Sequence, residues 1–180
     1  MKKLFFLSLL MLTVFSAQAQ DYYGFGVKGG LNLSNLRGAD GKMLPGFVGG
    51  IYFEYPLAEG FSVLSETVYS AQGAKADKEN LPDLKLNYIN WPILAKVALT
   101  EGLHLEAGPQ MGFLVGGSGG RFKRSDYKTF DLAGSVGLSL DISHNVNIGA
   151  RYNHGFLKVN KVGDELKNKN FQIALSISFW

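Results

Sequence analysis

From position 22 onward, apolar residues alternate with small or polar ones, the period-2 pattern of β-strands with two different faces. The last segment shows this most clearly, with Phe171, Ile173, Leu175, Ile177 and Phe179 alternating with Gln172, Ala174, Ser176 and Ser178. The pattern predicts eight strands, at residues 22–33, 47–57, 61–72, 86–99, 103–115, 130–142, 146–156 and 171–180. Each is near or above the ~9–11 residues that a tilted strand needs to cross a bilayer, whereas strands of soluble proteins average ~5–6.

Short and long connections alternate between these strands. The short ones are residues 58–60, 100–102 and 143–145, and the long ones are residues 34–46, 73–85, 116–129 and 157–170. Bacterial outer-membrane barrels have short periplasmic turns and longer extracellular loops. We therefore expect an all-β fold, an eight-stranded antiparallel up-and-down transmembrane β-barrel in the bacterial outer membrane with both termini in the periplasm. A soluble lipocalin-like barrel would show the inverse pattern, apolar inside and polar outside.

The charged residues of the strand cores fall on the polar face. A Lys or Arg that faces lipid at the midplane costs about 2–4 kcal/mol, so these charges belong in the lumen. An eight-stranded barrel is just wide enough for side chains to fill it. We expect a structural network of paired lumen charges, with a gated ion or proton path as the alternative. Its members are Lys28, Glu54, Glu66, Lys96, Glu106 and Arg151.

Composition supports a sheet protein without a spanning helix. The chain has 23 glycines, 13% aromatic residues and 18% charged residues, compared with about 25% charged residues in typical soluble domains. No long apolar run follows the first 20 residues. Cysteine is absent, which excludes disulfides, thiolate catalysis and zinc sites with sulfur ligands.

The first residues resemble a secretory leader. Lys2 and Lys3 precede an apolar stretch at residues 4–15, and Ala17-Gln18-Ala19 matches the small-x-small cleavage rule. We expect a cleaved signal peptide at residues 1–19 and a barrel domain at residues 20–180. Without Lys2 and Lys3, 16 basic residues face 15 acidic ones, so the charge does not indicate nucleic-acid binding.

Four segments carry a family resemblance: GVKGGLNLS at residues 26–34, YINWPILAK at 88–96, GLHLEAGPQ at 102–110 and RYNHG at 151–155. Together they resemble the small outer-membrane β-barrel domain family of Bacteroidota, often called PorT-like. The resemblance implies an outer-membrane barrel of this size and no shared enzymatic activity. One branch of that family is associated with protein secretion and gliding. Barrels of this kind often end on an aromatic residue in phase with the lipid-facing set, whereas here Phe179 is in phase and Trp180 lies one residue beyond it.

Few residues suggest catalysis or metal binding. His104, His144 and His154 fall on different strands and turns without ligand spacing, so we expect no metal and no cofactor. His154 could meet Ser125 and Asp126 at the outer rim, but a catalytic triad is recognised by geometry, and we expect no enzyme.

One long connection is rich in basic residues. It carries Arg121, Lys123, Arg124 and Lys128 against Asp126. Arginine and lysine pair well with phosphate, so this loop either contacts lipopolysaccharide or is simply solvated.

The function expected from the sequence is a structural or interaction role at the cell envelope, by a barrel whose lumen is largely filled with side chains. The alternatives are a narrow porin-like pore for small solutes and a component of a protein-secretion machine. A lipid-modifying enzyme with its site at the rim is the least favoured. The expected partners are outer-membrane lipids and lipopolysaccharide, the barrel-assembly machinery during biogenesis, and an envelope protein, but no nucleic acid.

Overall fold

The computed structural model describes residues 24–37, 42–76, 82–119, 122–161 and 165–179. Within these ranges the chain forms eight strands and one short 3₁₀ turn, Arg124–Asp126, between the fifth and sixth strands. The strands are β1 Gly24–Arg37, β2 Leu44–Ala58, β3 Phe61–Ala74, β4 Leu84–Thr100, β5 Leu103–Ser118, β6 Phe130–Ser143, β7 Val146–Gly155 and β8 Lys167–Ser178. The predicted leader, residues 1–19, and Trp180 lie outside the described residues.

Each strand pairs antiparallel with its neighbours in chain order, and β8 pairs with β1 to close the barrel. The predicted eight-stranded up-and-down barrel is therefore confirmed. Closure leaves no strand edge with unpaired N–H and C=O groups. Among the described residues, no helix is long and apolar enough to cross a lipid bilayer.

The two ends of the barrel differ in the length of their connections. At one end, here called the turn end, Gly60 and Gly102 adopt φ values of 70° and 83°, which glycine reaches without steric cost and which tight turns require. The other end, here called the loop end, carries the four longer connections. Several strands extend further toward it than the hydrophobic pattern predicted: β1 continues to Arg37 and β8 begins at Lys167.

The wall of the barrel has an apolar outer face and a polar inner face. On β8, Phe171, Ile173 and Leu175 are exposed, whereas Asn170 and Gln172 are buried. Large apolar side chains cover the outside of the other strands as well, while asparagine, serine, glutamine and charged side chains point into the lumen. The inner face also carries two small apolar clusters, Val48, Val68 and Ala174, and Tyr52, Leu64 and Leu94. An apolar outer surface of this extent is the one expected for a barrel surrounded by lipid.

Two adjacent glycines on β1 allow the packing of the two faces to be compared, because Gly30 lies on the inner face and Gly29 on the outer face. A Cβ at Gly30 would lie 2.1 Å from the Ile173 carbonyl oxygen and 2.7 Å from the Ala174 Cβ, whereas a Cβ at Gly29 would meet nothing within 4 Å. We predict that Gly30→Ala destabilises the barrel by about 1–3 kcal/mol through overpacking. Gly29→Ala should leave stability unchanged or raise it by about 0.4–1 kcal/mol, because alanine restricts the unfolded chain.

The measurement is the midpoint of urea unfolding in detergent micelles, together with the migration of unboiled protein on a gel. Equal midpoints for the two variants would show that the inner face has room that the structure does not indicate.

Candidate functional site

Four charged side chains meet in the middle of the lumen. Glu66 on β3 accepts hydrogen bonds from Arg151 on β7, with Oε2–Nη1 and Oε1–Nη2 distances of 2.9 and 2.8 Å. Glu66 Oε1 also lies 2.7 Å from Lys28 Nζ on β1. The second Arg151 contact is with Glu106 on β5, at 2.6 Å from Nη2 to Oε2. We call these four residues the central ion cluster.

The central ion cluster crosses the barrel. In a closed ring of eight strands, β3 and β7 lie four strands apart, on opposite sides. The paired hydrogen bonds between Glu66 and Arg151 therefore bridge the lumen from wall to wall. A planar guanidinium that binds a carboxylate through two parallel bonds is held in a single orientation.

The charges within the central ion cluster balance. Glu66 and Arg151 are 1% and 4% exposed, and two bases meet two acids. A buried charge is tolerated when it is paired and hydrogen-bonded, whereas removal of one partner from a buried pair typically costs about 3–5 kcal/mol. The cluster is thus a neutral unit whose members depend on each other.

The other two predicted lumen charges form a separate group nearer the turn end. Lys96 Nζ lies 2.9 Å from Glu54 Oε2, and Ser62 Oγ donates to Glu54 Oε1 at 2.7 Å. The structure thus places all six predicted residues in the lumen, but in a group of four and a group of two.

A cavity of about 660 Å³ lies between the central ion cluster and the β6–β7 turn. Its walls include Lys28, Glu66 and Glu106 from the cluster, and Glu54 and Lys96 from the second group. At the turn end it is also lined by residues 143–147. The charged lumen residues therefore form the inner wall of a polar chamber on the turn side.

At the loop end the lumen is closed by apolar side chains. Leu36, Leu86 and Tyr88 are 0–1% exposed and pack with Val159 from the β7–β8 connection. Other members of this loop-end plug, buried or packed against it, are Ala74, Leu84, Leu114, Phe122, Tyr127 and Leu166. The strand pattern did not predict this plug, although apolar residues inside otherwise polar loops, such as Phe122 and Leu166, are a signal for it.

The loops that supply the plug are held together by backbone hydrogen bonds. Lys128 N donates to Val159 O, and Lys161 N donates to Asp126 O, both at 2.8 Å. An isolated bridge pairs Tyr127 with Asn160. The described parts of the β5–β6 and β7–β8 connections thus form one layer over the mouth of the barrel.

The predicted basic loop residues differ in their surroundings: one is bonded to the barrel wall and two are exposed. Arg124 Nη2 donates to Leu114 O at 2.9 Å and to Thr129 Oγ1 at 3.2 Å, so Arg124 fastens its loop to β5. Lys123 and Lys128 are exposed. Arg121 lies outside the described residues.

The histidines are separated. His104 Nε2 lies 2.8 Å from Asp141 Oδ2 near the turn end. His154 Nδ1 lies 3.3 Å from Tyr152 OH, and Ser125 Oγ donates to Asp126, so no recorded hydrogen bond joins His154 to that serine and aspartate. In the described part of the chain, no group of three or more His, Asp or Glu residues could hold a metal ion.

Comparisons with known proteins agree with the architecture. A family model described as the outer membrane protein beta-barrel domain matches residues 7–179. Ail, the attachment invasion locus protein of Yersinia pestis, is similar in structure with a TM-score of 0.55 at 15% identity, over 88% of this chain and 100% of that one. Neisserial surface protein A is also similar in structure, with a TM-score of 0.55 at 19% identity, over 87% of this chain and 97% of that one. At such identities the likeness shows the fold alone.

A second structure of Ail, in complex with the heparin analogue sucrose octasulfate, has a TM-score of 0.53 at 16% identity, over 88% of this chain and 100% of that one. No curated protein sequence matches the chain.

The central ion cluster generates a double-variant prediction. Arg151→Gln leaves Glu66 and Glu106 with Lys28 as the single base of the cluster, and we expect a loss of about 3–5 kcal/mol in unfolding free energy. Arg151→Gln combined with Glu106→Gln restores a neutral Lys28–Glu66 pair, so the double variant should be more stable than Arg151→Gln alone. Urea unfolding of the two single variants and the double variant measures the coupling. Strict additivity of the two substitutions would contradict the contact between Arg151 and Glu106.

Proposed function

The chain belongs to the outer membrane protein beta-barrel domain family, and from that premise we propose that it acts at the bacterial outer membrane by contact rather than by transport. The observation that carries this proposal is the bridge of Glu66 and Arg151 across the lumen. In this proposal the barrel is a closed support that presents its loop end to the outside and its turn end to the periplasm.

Two barriers in series support a closed lumen. The central ion cluster fills the middle of the barrel with side chains whose charges neutralise each other. The loop-end plug then covers the mouth with buried apolar side chains, which offer no partners to a hydrated ion. The cavity of about 660 Å³ leads from the turn end only as far as the central ion cluster.

The charges at the two ends support an interaction role. The described loop-end residues include eleven bases and four acids. The bases are Arg37, Lys42, Lys75, Lys85, Lys123, Arg124, Lys128, Lys158, Lys161, Lys167 and Lys169, and the acids are Asp83, Asp126, Asp131 and Glu165. The described turn end carries Glu59, Glu101 and Asp141 and no Lys or Arg. A basic loop end complements the phosphate groups of lipopolysaccharide in the outer leaflet.

One comparison is compatible with a polyanion as the partner. Ail, a barrel of similar fold, has been solved in complex with a heparin analogue, sucrose octasulfate. That complex shows a sulfated ligand on such a barrel, although the two chains share only 16% identity.

The finer assignment to the PorT-like proteins of Bacteroidota rests on the four sequence segments named above. It adds a protein partner in the envelope to the proposal. Crosslinking in intact cells, followed by purification in mild detergent, distinguishes a barrel that binds an envelope protein from one that contacts lipopolysaccharide alone. A stoichiometric protein partner supports a place in a secretion machine, whereas recovery of the barrel with lipopolysaccharide alone supports the contact role with lipid.

The closed lumen predicts the electrical behaviour of the purified protein. In planar bilayers the folded barrel should produce no steady open channel, because both the central ion cluster and the loop-end plug lie in the path of ions. The gel shift between unboiled and boiled samples serves as the folding control. Long-lived conductance from the folded protein would overturn the contact role and favour the narrow pore.

The orientation predicts which sites can be labelled in intact cells. Because the chain contains no cysteine, Ser118→Cys at the loop end and Glu101→Cys at a turn each introduce a single thiol at an exposed position. A polymer-linked maleimide too large to pass the outer membrane should label the cysteine at 118 and not the one at 101. After lysis both should react, and labelling of position 101 alone in intact cells would reverse the orientation.

A further inference from the structure

The lipid-facing surface of β7, β8 and β1 changes from apolar to basic over a single row of residues. Tyr152, Phe171 and Leu33 lie side by side on these three strands and are exposed. The next row toward the loop end consists of His154, Lys169 and Asn35, and the row after it contains Lys167 and Arg37.

The basic side chains point outward, like the apolar row below them. On β8, Asn168 and Asn170 are buried in the lumen, so Lys167 and Lys169 share the outer face with Phe171. On β1, Ser34 and Leu36 are buried, so Arg37 shares the outer face with Leu33. We call Arg37, Lys167 and Lys169 the rim patch.

The rim patch places like charges against each other. Arg37 lies directly opposite Lys167 in the antiparallel pairing of β1 and β8, and like charges in that position destabilise a sheet. Glu165 lies 3.8 Å from Lys167 at its nearest oxygen, and this carboxylate also pairs with Lys158, whose hydrogen bond lowers the pKa of Glu165. Among the described residues, no carboxylate is recorded in an ion pair with Arg37 or Lys169. The patch therefore retains positive charge that an external anion would compensate.

The height of the rim patch matches lipid phosphate. A strand rises about 3.3 Å per residue, so Lys169 and Lys167 lie about 7 and 13 Å along β8 from Phe171. Strand tilt reduces these values to about 5–10 Å above the apolar band. The headgroup layer on each side of a bilayer is about 5–8 Å thick. Lys42 and Lys75 also face each other, but Lys75 lies six residues beyond the outward Tyr69, about 20 Å along the strand and above that layer.

We infer that the rim patch binds a phosphate group of a lipid in the outer leaflet, with Arg37, Lys167 and Lys169 as the binding side chains and the apolar row of Tyr152, Phe171 and Leu33 against its acyl chains. The inference deepens the proposed function and rests on its orientation, since it selects one face of the basic loop end as the lipid site. A site directly above an apolar band favours a phosphate that carries acyl chains over free phosphate. The remaining exposed lysines of the loops are not part of this site.

The test compares two triple variants with equal loss of charge. The first replaces the rim patch, as Arg37→Gln, Lys167→Gln and Lys169→Gln. The second, as matched control, carries Lys42→Gln, Lys75→Gln and Lys123→Gln, which removes a like-charged pair and one exposed loop lysine outside the rim patch. Titration calorimetry of the folded barrel in micelles measures the dissociation constant for bisphosphorylated lipid A. The probes for comparison are lipid A without phosphates, and inorganic phosphate as a competitor.

Each basic side chain near an anionic lipid contributes about fivefold in affinity, so the rim-patch variant should bind on the order of a hundredfold more weakly. The control variant should stay within about threefold of the natural chain, because its three lysines lie outside the β8–β1 ladder that carries the rim patch. The natural chain should bind lipid A without phosphates on the order of a hundredfold more weakly than bisphosphorylated lipid A, the same loss that the rim-patch variant shows. Inorganic phosphate at the same concentration should not compete.

Equal losses in both triple variants would overturn the rim patch as a site while the proposed contact role stands, since binding would then follow total charge. Weaker lipid A binding by the control variant alone would likewise overturn the rim patch while the proposed contact role stands. Competition by inorganic phosphate would replace the lipid with a free anion. Failure of both the natural chain and its variants to bind lipid A would overturn the rim patch together with lipopolysaccharide as the partner. Every substitution lies on an exposed or half-exposed side chain, so we expect all variants to fold. The gel shift between unboiled and boiled samples checks this first.

Discussion

The pairing of β8 with β1 is the contact on which the rest of the structure depends. A hydrocarbon layer offers no hydrogen-bond partners to backbone N–H and C=O groups, so a spanning sheet is stable only when its last strand pairs with its first. The register that joins these strands, with Gly30 opposite Ala174 and Asn32 opposite Gln172, sets which side chains share each level of the wall. Once closed, eight strands enclose a narrow lumen that side chains largely fill, with a cavity of about 660 Å³ left on the turn side. Charged groups that are removed from water in this lumen must be paired, which explains the central ion cluster.

Much of this architecture is predictable from the sequence, because the period-2 pattern carries the two faces of the wall. The lumen charges could be assigned to the inner face one strand at a time. Their partners could not, because a contact across the lumen depends on the shear of the closed ring. Lys96 lies opposite Glu106 in the β4–β5 ladder, yet Lys96 bonds to Glu54 and Glu106 bonds to Arg151. The single network expected from the sequence is accordingly two groups.

The strand ends were predicted less well than the strand cores, for a related reason. The apolar alternation stops at Leu33 and Phe171, whereas the hydrogen-bonded ladder continues to Arg37 and Lys167. Hydrophobic patterns report contact with lipid, and the backbone ladder extends beyond the lipid. The loop-end plug was missed because Val159 and Leu166 lie in segments without a strand pattern, and they are buried only by folding back over the mouth of the barrel.

The closed lumen and the basic loop end have one physical cause in common, which is the cost of an unpaired charge in a medium of low dielectric constant. Inside the barrel, Glu66 and Arg151 are removed from water, so each must be matched by an opposite charge, and the cluster is neutral. On the outside, above the apolar band, Arg37 is exposed and Lys169 is half-exposed, so an unmatched base costs little there. Unmatched positive charge is therefore tolerated at the exposed rim, whereas the bases of the lumen are paired with acids. This difference is the physical basis of our proposal that the barrel binds anionic groups at its rim and does not move ions through its centre.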